Sequence, residues 1–290
     1  MKSFTPKELS VKKLHGLLVS TIAPRPIAFV STMDSDGNPN LSPFSFFNVF
    51  SANPPILIFS PARRVRDNTT KHTLDNIKQL KEVVINVVNY DIVQQMSLSS
   101  TDYPEKVNEF IKSGLTMIES DIVKPFRVGE SPIQFECRVN DIITLGENGG
   151  AGNLVICEVL KFHISKEVIN LDESINQQAL DLVARAGGSY YSRINKGFFE
   201  IPKPLRTLGI GVDALPKSVK NSMILTGNEL GMLGNVPALP SITDIDDFIN
   251  SLSESYQNIG EMTHREKHKI AKNYLSFGDV DSALKLLLSK

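Results

Sequence analysis

The chain of 290 residues has an ordinary globular composition, with 41% hydrophobic residues, 22% charged residues and a formal net charge of −1. Such a balanced chain gives no reason to expect a nucleic-acid or anionic-membrane surface. No apolar run is long enough to span a bilayer, and the opening stretch MKSFTPKELSVKKL lacks the apolar core of a signal peptide. Cys137 and Cys157 fall in strand-like segments at no metal-like spacing, which indicates buried thiols. We therefore expect a cytoplasmic protein with neither nucleic acid nor membrane among its partners.

The first sixty residues predict a helix followed by several strands. Residues 5–20 are loosely helix-periodic, and IAFVST (27–32) is an apolar, β-branched run typical of a buried strand. DSDGNPN (34–40) carries dense turn chemistry with an Asp-Gly hairpin signal. LSPFSFFNVFSA (41–52) and ILIFS (56–60) then predict one further strand each.

The segment SPFSFFN within the predicted strand 41–52 is unusual in composition. It places three phenylalanines among two serines and an asparagine. A strand that only packs against a core needs the aromatic rings but not the hydroxyls and the amide. A site for a flat ring with polar edges needs both, so the segment predicts a ligand contact.

Residues 61–83 predict a helix that begins near Thr70 or Thr73 and runs to about Lys81. Arg63, Arg64 and Arg66 precede it. One interpretation is a charged surface loop. The other is a phosphate site, because a helix N-terminus offers free N–H groups and nearby threonine hydroxyls and Lys71 would add direct contacts.

The middle of the chain alternates strands and helices. The run 83–89 predicts a strand buried on both faces, and 90–114 predicts two short helices, the second opened by Pro104 and ended by Gly114. Residues 133–165 predict a long hairpin around GENGGAGN, which matches no phosphate-loop pattern. Residues 173–188 predict a helix with two glycines after its end.

The composition changes near residue 205, which predicts two domains, 1–205 and 206–290. Residues 207–244 are rich in Gly, Asn, Pro and Leu and indicate an irregular arm that wraps a neighbouring surface. Residues 241–255 predict a helix, and 263–290 predict a helical hairpin opened by a Thr-x-x-Glu capping box and expected to dock on the first domain.

Several of these segments together resemble one protein family. IAPRPIAFVST, the Asp-Gly turn, NLSPFSFFN, NPP and FS, followed by KHTLDNI at 71–77, resemble the flavin reductase-like proteins, which are FMN-binding split β-barrels related to the flavoredoxins. The resemblance resumes at LVARAGGSYYSRINKGFFEIPKP (182–204). It implies a mainly β fold with peripheral helices, namely a six-stranded antiparallel split barrel followed by a C-terminal helical extension.

The resemblance also implies a function and a site. It implies bound FMN, a homodimer, and hydride transfer from NADH or NADPH to the flavin, with electrons passed onward to an acceptor or redox partner protein that the sequence does not name. His72 departs from the family pattern, which has Asp there. The residues implied to bind the cofactor are Arg25, Thr32, Ser45, Phe46, Phe47, Asn48, Ser60, Lys71, Thr73, Asn76, Gly188 and Tyr191.

Two alternatives stay open at this stage. The chain has no nicotinamide motif, so a non-catalytic FMN carrier reduced by a partner protein is compatible with the sequence. The other alternative is a barrel that has lost its flavin and acts through its C-terminal helices. No catalytic acid–base or nucleophile constellation is present, and His264 and His268 have no third ligand placed to complete a metal site.

Overall fold

The computed structural model of the protein describes residues 1–201, 208–252 and 261–289. The chain divides into two compact units, Met1–Phe199 and Glu200–Lys290. The predicted domain boundary at residue 205 lies outside the described residues. Within the described ranges, no helix combines the length and the apolar character that crossing a membrane requires.

The strands of the described residues all belong to the first unit. In chain order they are β1 (Ala28–Met33), β2 (Pro39–Phe44), β3 (Phe47–Ala52), β4 (Pro55–Phe59), β5 (Glu82–Val87), β6 (Met117–Ile118), β7 (Arg127–Val128), β8 (Ile133–Thr144), β9 (Asn153–Ile164), β10 (Val183–Arg185) and β11 (Tyr191–Arg193). Seven of them form one sheet in the order β2-β1-β5-β8-β9-β4-β3, and every neighbouring pair is antiparallel.

The α-helices lie around this sheet and in the second unit. They are α1 (Val11–Thr21), α2 (His72–Leu80), α3 (Val93–Ser99), α4 (Glu109–Ser113), α5 (Gln177–Leu180), α6 (Lys217–Lys220), α7 (Gly227–Gly234), α8 (Ile242–Ser251), α9 (His264–Ser276) and α10 (Val280–Leu288). The prediction for α4 is half right. Asn108 rather than Pro104 caps its start, because the Asn108 side chain accepts from the N–H groups of the first turn. Gly114 ends it in the left-handed conformation as predicted.

The large antiparallel sheet and the helical C-terminal part are confirmed, but the sheet has seven strands rather than six. The difference comes from the predicted strand 41–52, which is two strands separated at Ser45 and Phe46. β2 pairs with β1, whereas β3 pairs with β4, so the two halves lie at opposite edges of the sheet. The sequence pattern does not show this because both halves keep strand-like composition across the junction.

The first unit has hydrophobic cores on both faces of the sheet: Phe29 and Leu41 belong to one of them, and α2 packs on the other. β1, β4, β5 and β9 contribute fully buried side chains, and α2 covers them with Leu74 and Ile77. Burying each large aliphatic side chain contributes about 1.5–3 kcal/mol before conformational entropy is subtracted. This packing fixes α2, and with it the N-terminal end of the helix, relative to β1 and β2.

The predicted helix 173–188 is wrong over most of its length. Only α5 is helical, and Asp181 then adopts a left-handed conformation with φ of 46°. The chain continues as β10, in which the Arg185 N–H donates to the Arg25 carbonyl at 2.8 Å and the Arg25 N–H donates back at 2.9 Å. This pairing with a segment far away in sequence overrides the local helix propensity.

The second unit has a core of its own. Leu215, Leu225 and Leu233 from the arm pack with residues of α9 and α10 such as Ala271 and Leu284. The apolar face of the predicted helical hairpin is therefore covered by the arm, which supplies the other half of this core. The predicted capping box of α9 is confirmed, whereas the end of the predicted helix 241–255 beyond residue 252 lies outside the described residues.

Candidate functional site

A cavity of about 550 Å³ opens beside the junction of β2 and β3. Half of the twelve predicted cofactor-binding residues line it, namely Arg25, Ser45, Phe46, Ser60, Lys71 and Gly188. These residues come from five separate parts of the chain, which only the folded sheet brings together. The volume lies in the range of about 300–1,000 Å³ that is typical of small-molecule sites.

The cavity is electropositive. Besides Arg25 and Lys71, its wall includes the basic residues Lys12 and Arg185, together with His15. Among the described residues that line the cavity, none is acidic. Clefts lined by charges of one sign favour ligands of the opposite sign, so the cavity suits an anionic ligand. Sequence analysis missed Lys12 and Arg185 because nothing local connects α1 and β10 with the β2–β3 junction.

The β2–β3 junction is held in place by backbone contacts. The Ser60 N–H donates to the Phe46 carbonyl at 2.8 Å, which fixes the end of β4 beside the junction. Gly152 approaches Ser60 so closely that a Cβ at position 152 would lie 2.7 Å from the Ser60 hydroxyl. A side chain at position 152 would therefore force the Ser60 hydroxyl to rotate away from its present position in the cavity wall.

Arg25 is a buried connector within the cavity wall. Its guanidinium donates to the Ser45 hydroxyl at 3.3 Å, to the carbonyls of Val19 and Ile22 near the end of α1, and to the Ala186 carbonyl. Burial, and then the nearby charge of Arg185, lower its pKa. Only 7% of Arg25 is exposed, so it is not a surface residue.

The turn after β10 closes another side of the cavity. Arg185 donates to the Gly188 carbonyl at 2.7 Å and the Tyr190 carbonyl at 3.0 Å, and its guanidinium lies 4.6 Å from the centre of the Tyr191 ring. Gly187 packs against Ser20 of α1 with no room for a side chain. The absence of a side chain at Gly187 therefore lets its backbone approach α1 closely.

Three predicted residues form a buried polar network behind α2 instead of lining the cavity. Asn40 donates to the hydroxyls of Thr32 at 3.1 Å and Thr73 at 2.9 Å, and Asn76 donates to Thr32 at 3.2 Å. All four residues are buried. Asn40 was missed by sequence analysis, although the pairing of Thr32 with Asn40 across β1 and β2 places them together. The network fixes the start of α2 to the sheet.

The start of α2 differs in detail from the prediction. Lys71 occupies the N-cap position and no side chain caps the helix. The Thr70 hydroxyl donates to the Asp75 carboxylate, and Thr73 lies inside the first turn. Because α2 has no side-chain cap, its first N–H groups are available to water or to a ligand. His72 lines a separate cavity of about 280 Å³.

The basic side chains before α2 converge on one carboxylate. Asp102, which follows α3, lies 2.8 Å from the Lys71 ammonium, 3.2 Å from Arg64 and 3.0 Å from Arg66. The Lys71 ammonium beside it, and then Arg64, hold the pKa of the Asp102 carboxyl at about 2 against the effect of burial. Arg63 instead donates to Asn68. No motif in the sequence points to Asp102, because only the tertiary fold brings its loop to α2.

The remaining predicted residues lie outside the cavity. Phe47 packs against the core of the first unit. Asn48 is exposed and its side-chain oxygen accepts from the Val49 N–H at 2.8 Å. Tyr191 stands behind Arg185 and does not line the cavity. Their roles in cofactor binding, like those of the residues in the cavity wall, stay predictions.

A second polar cluster lies away from the cavity and has a structural role. Asp121, Glu136 and His163 bring three potential metal ligands together. The buried Glu136 carboxylate accepts from the N–H groups of Asp121, Ile122 and Val123 and lies 2.6 Å from His163. These contacts use both carboxylate oxygens, so Glu136 anchors the loop 121–123 to β8. His268 in the second unit is likewise buried, and its Nδ1 lies 2.8 Å from the Ser222 hydroxyl.

Comparisons with known proteins agree with this architecture. An uncharacterized protein of Halalkalibacterium halodurans is 35% identical over 195 residues, which are 67% of this chain and 92% of that protein. The structure of nitrilotriacetate monooxygenase component B from Bacillus cereus matches with a TM-score of 0.65 and 30% identity, over 69% of this chain and 98% of that chain. A protein of Shewanella frigidimarina described as a flavin reductase with a split barrel domain matches with a TM-score of 0.60 and 26% identity, over 70% and 100%.

The match to a family model is the most direct of these findings. The model described as the flavin reductase like domain covers residues 20–178, which is more than half of the chain. This span contains ten of the twelve predicted cofactor-binding residues, and only Gly188 and Tyr191 lie beyond it. The chain therefore belongs to the flavin reductase-like family of split-barrel proteins.

Proposed function

We propose that this protein is an FMN-dependent oxidoreductase that takes hydride from NADH or NADPH and passes electrons to an acceptor. The observation that carries the proposal is the cavity beside the β2–β3 junction. It combines the Phe46 ring and the serine hydroxyls with four basic residues and, among its described lining residues, no acidic one. An aromatic ligand that bears an anionic group, as FMN does, matches that wall.

The residues present fit such a ligand. Ser45 and Ser60 offer hydroxyls at the β2–β3 junction for the polar edge of a ring. Lys71, at the start of α2, offers an ammonium beside N–H groups that no side chain caps, which is the donor set that a phosphate requires. When bound, the flavin supplies the hydride and electron chemistry, and the protein supplies placement and electrostatics.

The chain's own residues would keep that placement rigid. Arg25 ties the Ser45 hydroxyl to the end of α1. The network behind α2, centred on Asn40, holds the start of the helix against β1 and β2. Sites whose donors are fixed by a second set of hydrogen bonds lose less conformational entropy on binding. Neither Arg25 nor Asn40 needs to contact the ligand for this contribution.

An absorbance spectrum followed by a turnover assay tests the proposal. We expect protein incubated with FMN and freed of excess ligand to keep a flavin absorbance band, and to oxidise NADH or NADPH in the presence of FMN. Absence of flavin uptake would overturn the proposal and leave the scaffold alternative. Uptake without oxidation of either nicotinamide would instead identify a non-catalytic FMN carrier. The similarity to a protein named component B of a monooxygenase supports including a partner protein as acceptor.

We further propose that the protein is a homodimer through the edge strand β3. Val49 and Phe50 on β3 are 64% and 63% exposed, and Phe46 at its start is 39% exposed. An edge strand with apolar side chains is a surface that proteins normally cover, and a second copy of the same edge would cover it symmetrically. Light scattering at micromolar concentration should give the dimer mass, and Phe50→Lys should shift it towards the monomer. A wild-type protein that scatters only as monomer would contradict the proposal.

A cytoplasmic location is proposed on the basis of the two cysteines. Cys137 and Cys157 are free and buried in the core. Burial raises the pKa of both thiols well above the ordinary value, so they act as small core residues and not as reactive groups. Labelling of the native protein with a thiol reagent should be slow and should accelerate on unfolding.

A further inference from the structure

We propose that Asp102 is an internal counter-ion of the phosphate site, which competes with a phosphorylated ligand for Lys71 and Arg64. This inference rests on the proposed function and deepens it, because it names the residue that sets how tightly a phosphorylated flavin is held. Asp102 lowers the affinity for ligands that carry a phosphate and leaves the affinity for the ring unchanged. It thereby favours exchange of the flavin over permanent binding.

The contacts of Asp102 are those expected of a bound anion. One oxygen lies 2.8 Å from the Lys71 ammonium and 3.2 Å from the Arg64 guanidinium, and the other lies 3.0 Å from Arg66. Carboxylate and phosphate oxygens use the same cationic donors in the same geometry. A single carboxylate thus occupies Lys71 and two of the arginines for which the sequence left a phosphate site open as one of two interpretations.

Lys71 stands between the two possible partners. It lines the cavity of about 550 Å³, and it also lines a small polar chamber of about 20 Å³ shared with Arg64 and Asp102. A chamber of that size holds about one water molecule, so a phosphate group does not fit beside Asp102. A phosphate that enters from the larger cavity must therefore share the Lys71 ammonium with Asp102, which already takes one of its three N–H donors.

Arg64 shows that the chamber has more donors than Asp102 satisfies. Its guanidinium donates to the Thr70 carbonyl and the Thr69 hydroxyl as well as to Asp102. Its Nε–H, however, is buried and has no acceptor within the described part of the chain. A buried donor without an acceptor is costly, and a further oxygen would relieve it. A phosphate brings more acceptor oxygens than the carboxylate it would displace.

The test is Asp102→Asn in the full-length protein, titrated with FMN, with riboflavin and with inorganic phosphate. Asp36→Asn is the matched control, since it removes the same charge from an exposed Asp-Gly turn and keeps the turn chemistry as Asn-Gly. We expect Asp102→Asn to bind FMN about tenfold more tightly, which corresponds to about 1.4 kcal/mol. Inorganic phosphate should also bind more tightly, whereas riboflavin binding and the control should stay within about twofold of wild type.

Each other outcome overturns the inference. Unchanged or weaker binding of FMN and phosphate would show that Asp102 orients the cations instead of competing for them. Equal tightening of riboflavin would show that the substitution acts on the cavity as a whole. Asp102→Ala, as a second variant, must change phosphate affinity in the same direction. If the wild-type protein takes up neither flavin, the proposed function fails, and the phosphate titration alone decides the role of Asp102.

Discussion

Replacing Lys71 by methionine should weaken FMN binding and leave riboflavin binding unchanged. Methionine keeps most of the length of the side chain, so the packing of its apolar part is largely preserved. Lys71 is the cation that lines both the main cavity and the chamber with Asp102. Thr73 is not a suitable second position, because it is buried and accepts a hydrogen bond from Asn40, so its loss would disturb the network behind α2.

The expected magnitude follows from what Lys71 loses and gains on binding. A hydrogen bond between charged groups contributes about 1.5–3 kcal/mol. Without the ligand, Lys71 instead forms an ion pair with Asp102. This partly exposed pair is worth about 0.2–1 kcal/mol, which is subtracted from the gain on ligand binding. Subtracting the middle of the second range from the middle of the first leaves a net contribution of Lys71 to FMN binding of about 1.7 kcal/mol. Lys71→Met should therefore weaken FMN binding by roughly 15- to 20-fold.

The assay is quenching of flavin fluorescence on titration with protein, carried out with both flavins. Lys78→Met is the matched control, because Lys78 is an exposed lysine in the last turn of the same helix and does not line the cavity. Equal FMN affinity in wild type and Lys71→Met would refute the placement of the phosphate at α2. A parallel loss of riboflavin binding would refute the assumption that Lys71 acts only on the phosphate.

Three further predictions concern the scaffold. Asn40→Ala should lower the free energy of unfolding by about 2–3 kcal/mol in urea titrations, because the buried Thr73 hydroxyl loses its donor and Thr32 keeps only the bond from Asn76; an unchanged midpoint would contradict the role of this network. Burial alone would raise the pKa of Glu136, but hydrogen bonds from Asp121, His163 and two further N–H groups together lower it. The ionised Glu136 therefore stabilises the fold fully above its unfolded pKa, and this contribution is lost as the pH falls. Glu136→Gln should lower the free energy of unfolding by about 2–4 kcal/mol at pH 7 and by less below pH 4.5, and urea midpoints measured across that range will show it. A chain ending at Phe199 should still take up FMN in a spectral titration, because every residue that lines the cavity precedes residue 189. If this shortened chain folds but takes up no FMN, part of the site belongs to the second unit.

Much of the fold of the first unit could be read from the sequence. β1, β4, β5 and the long hairpin of β8 and β9 carry apolar, β-branched runs bounded by turn residues, so local pattern and tertiary structure agree. The capping box of α9 and the glycine end of α4 were likewise readable, since each depends on residues within one turn. Of the six cavity-lining residues in the predicted set, Ser45, Phe46 and Lys71 were also indicated by local residue chemistry, whereas the full set came from the family resemblance, which records spacing along the chain.

Contacts between distant segments decided what the sequence could not. The strand 41–52 divides into β2 and β3 because each half finds a different partner strand. Residues 183–185 form β10 because they pair with β11 and because Arg185 also bridges to the backbone of Arg25. The contacts of Asn40 and Asp102 also depend on the tertiary structure. The register of β1 with β2 places Asn40 beside Thr32, and the loop after α3 brings Asp102 to Lys71 at the start of α2. The sequence by itself determined the strand and turn patterns of the first unit and predicted a set of residues for an anionic aromatic ligand. Only the tertiary structure decided which of these predicted residues line one cavity and which cation already has a partner. The reason is that hydrogen bonds and ion pairs depend on distances in space, which spacing along the chain does not encode.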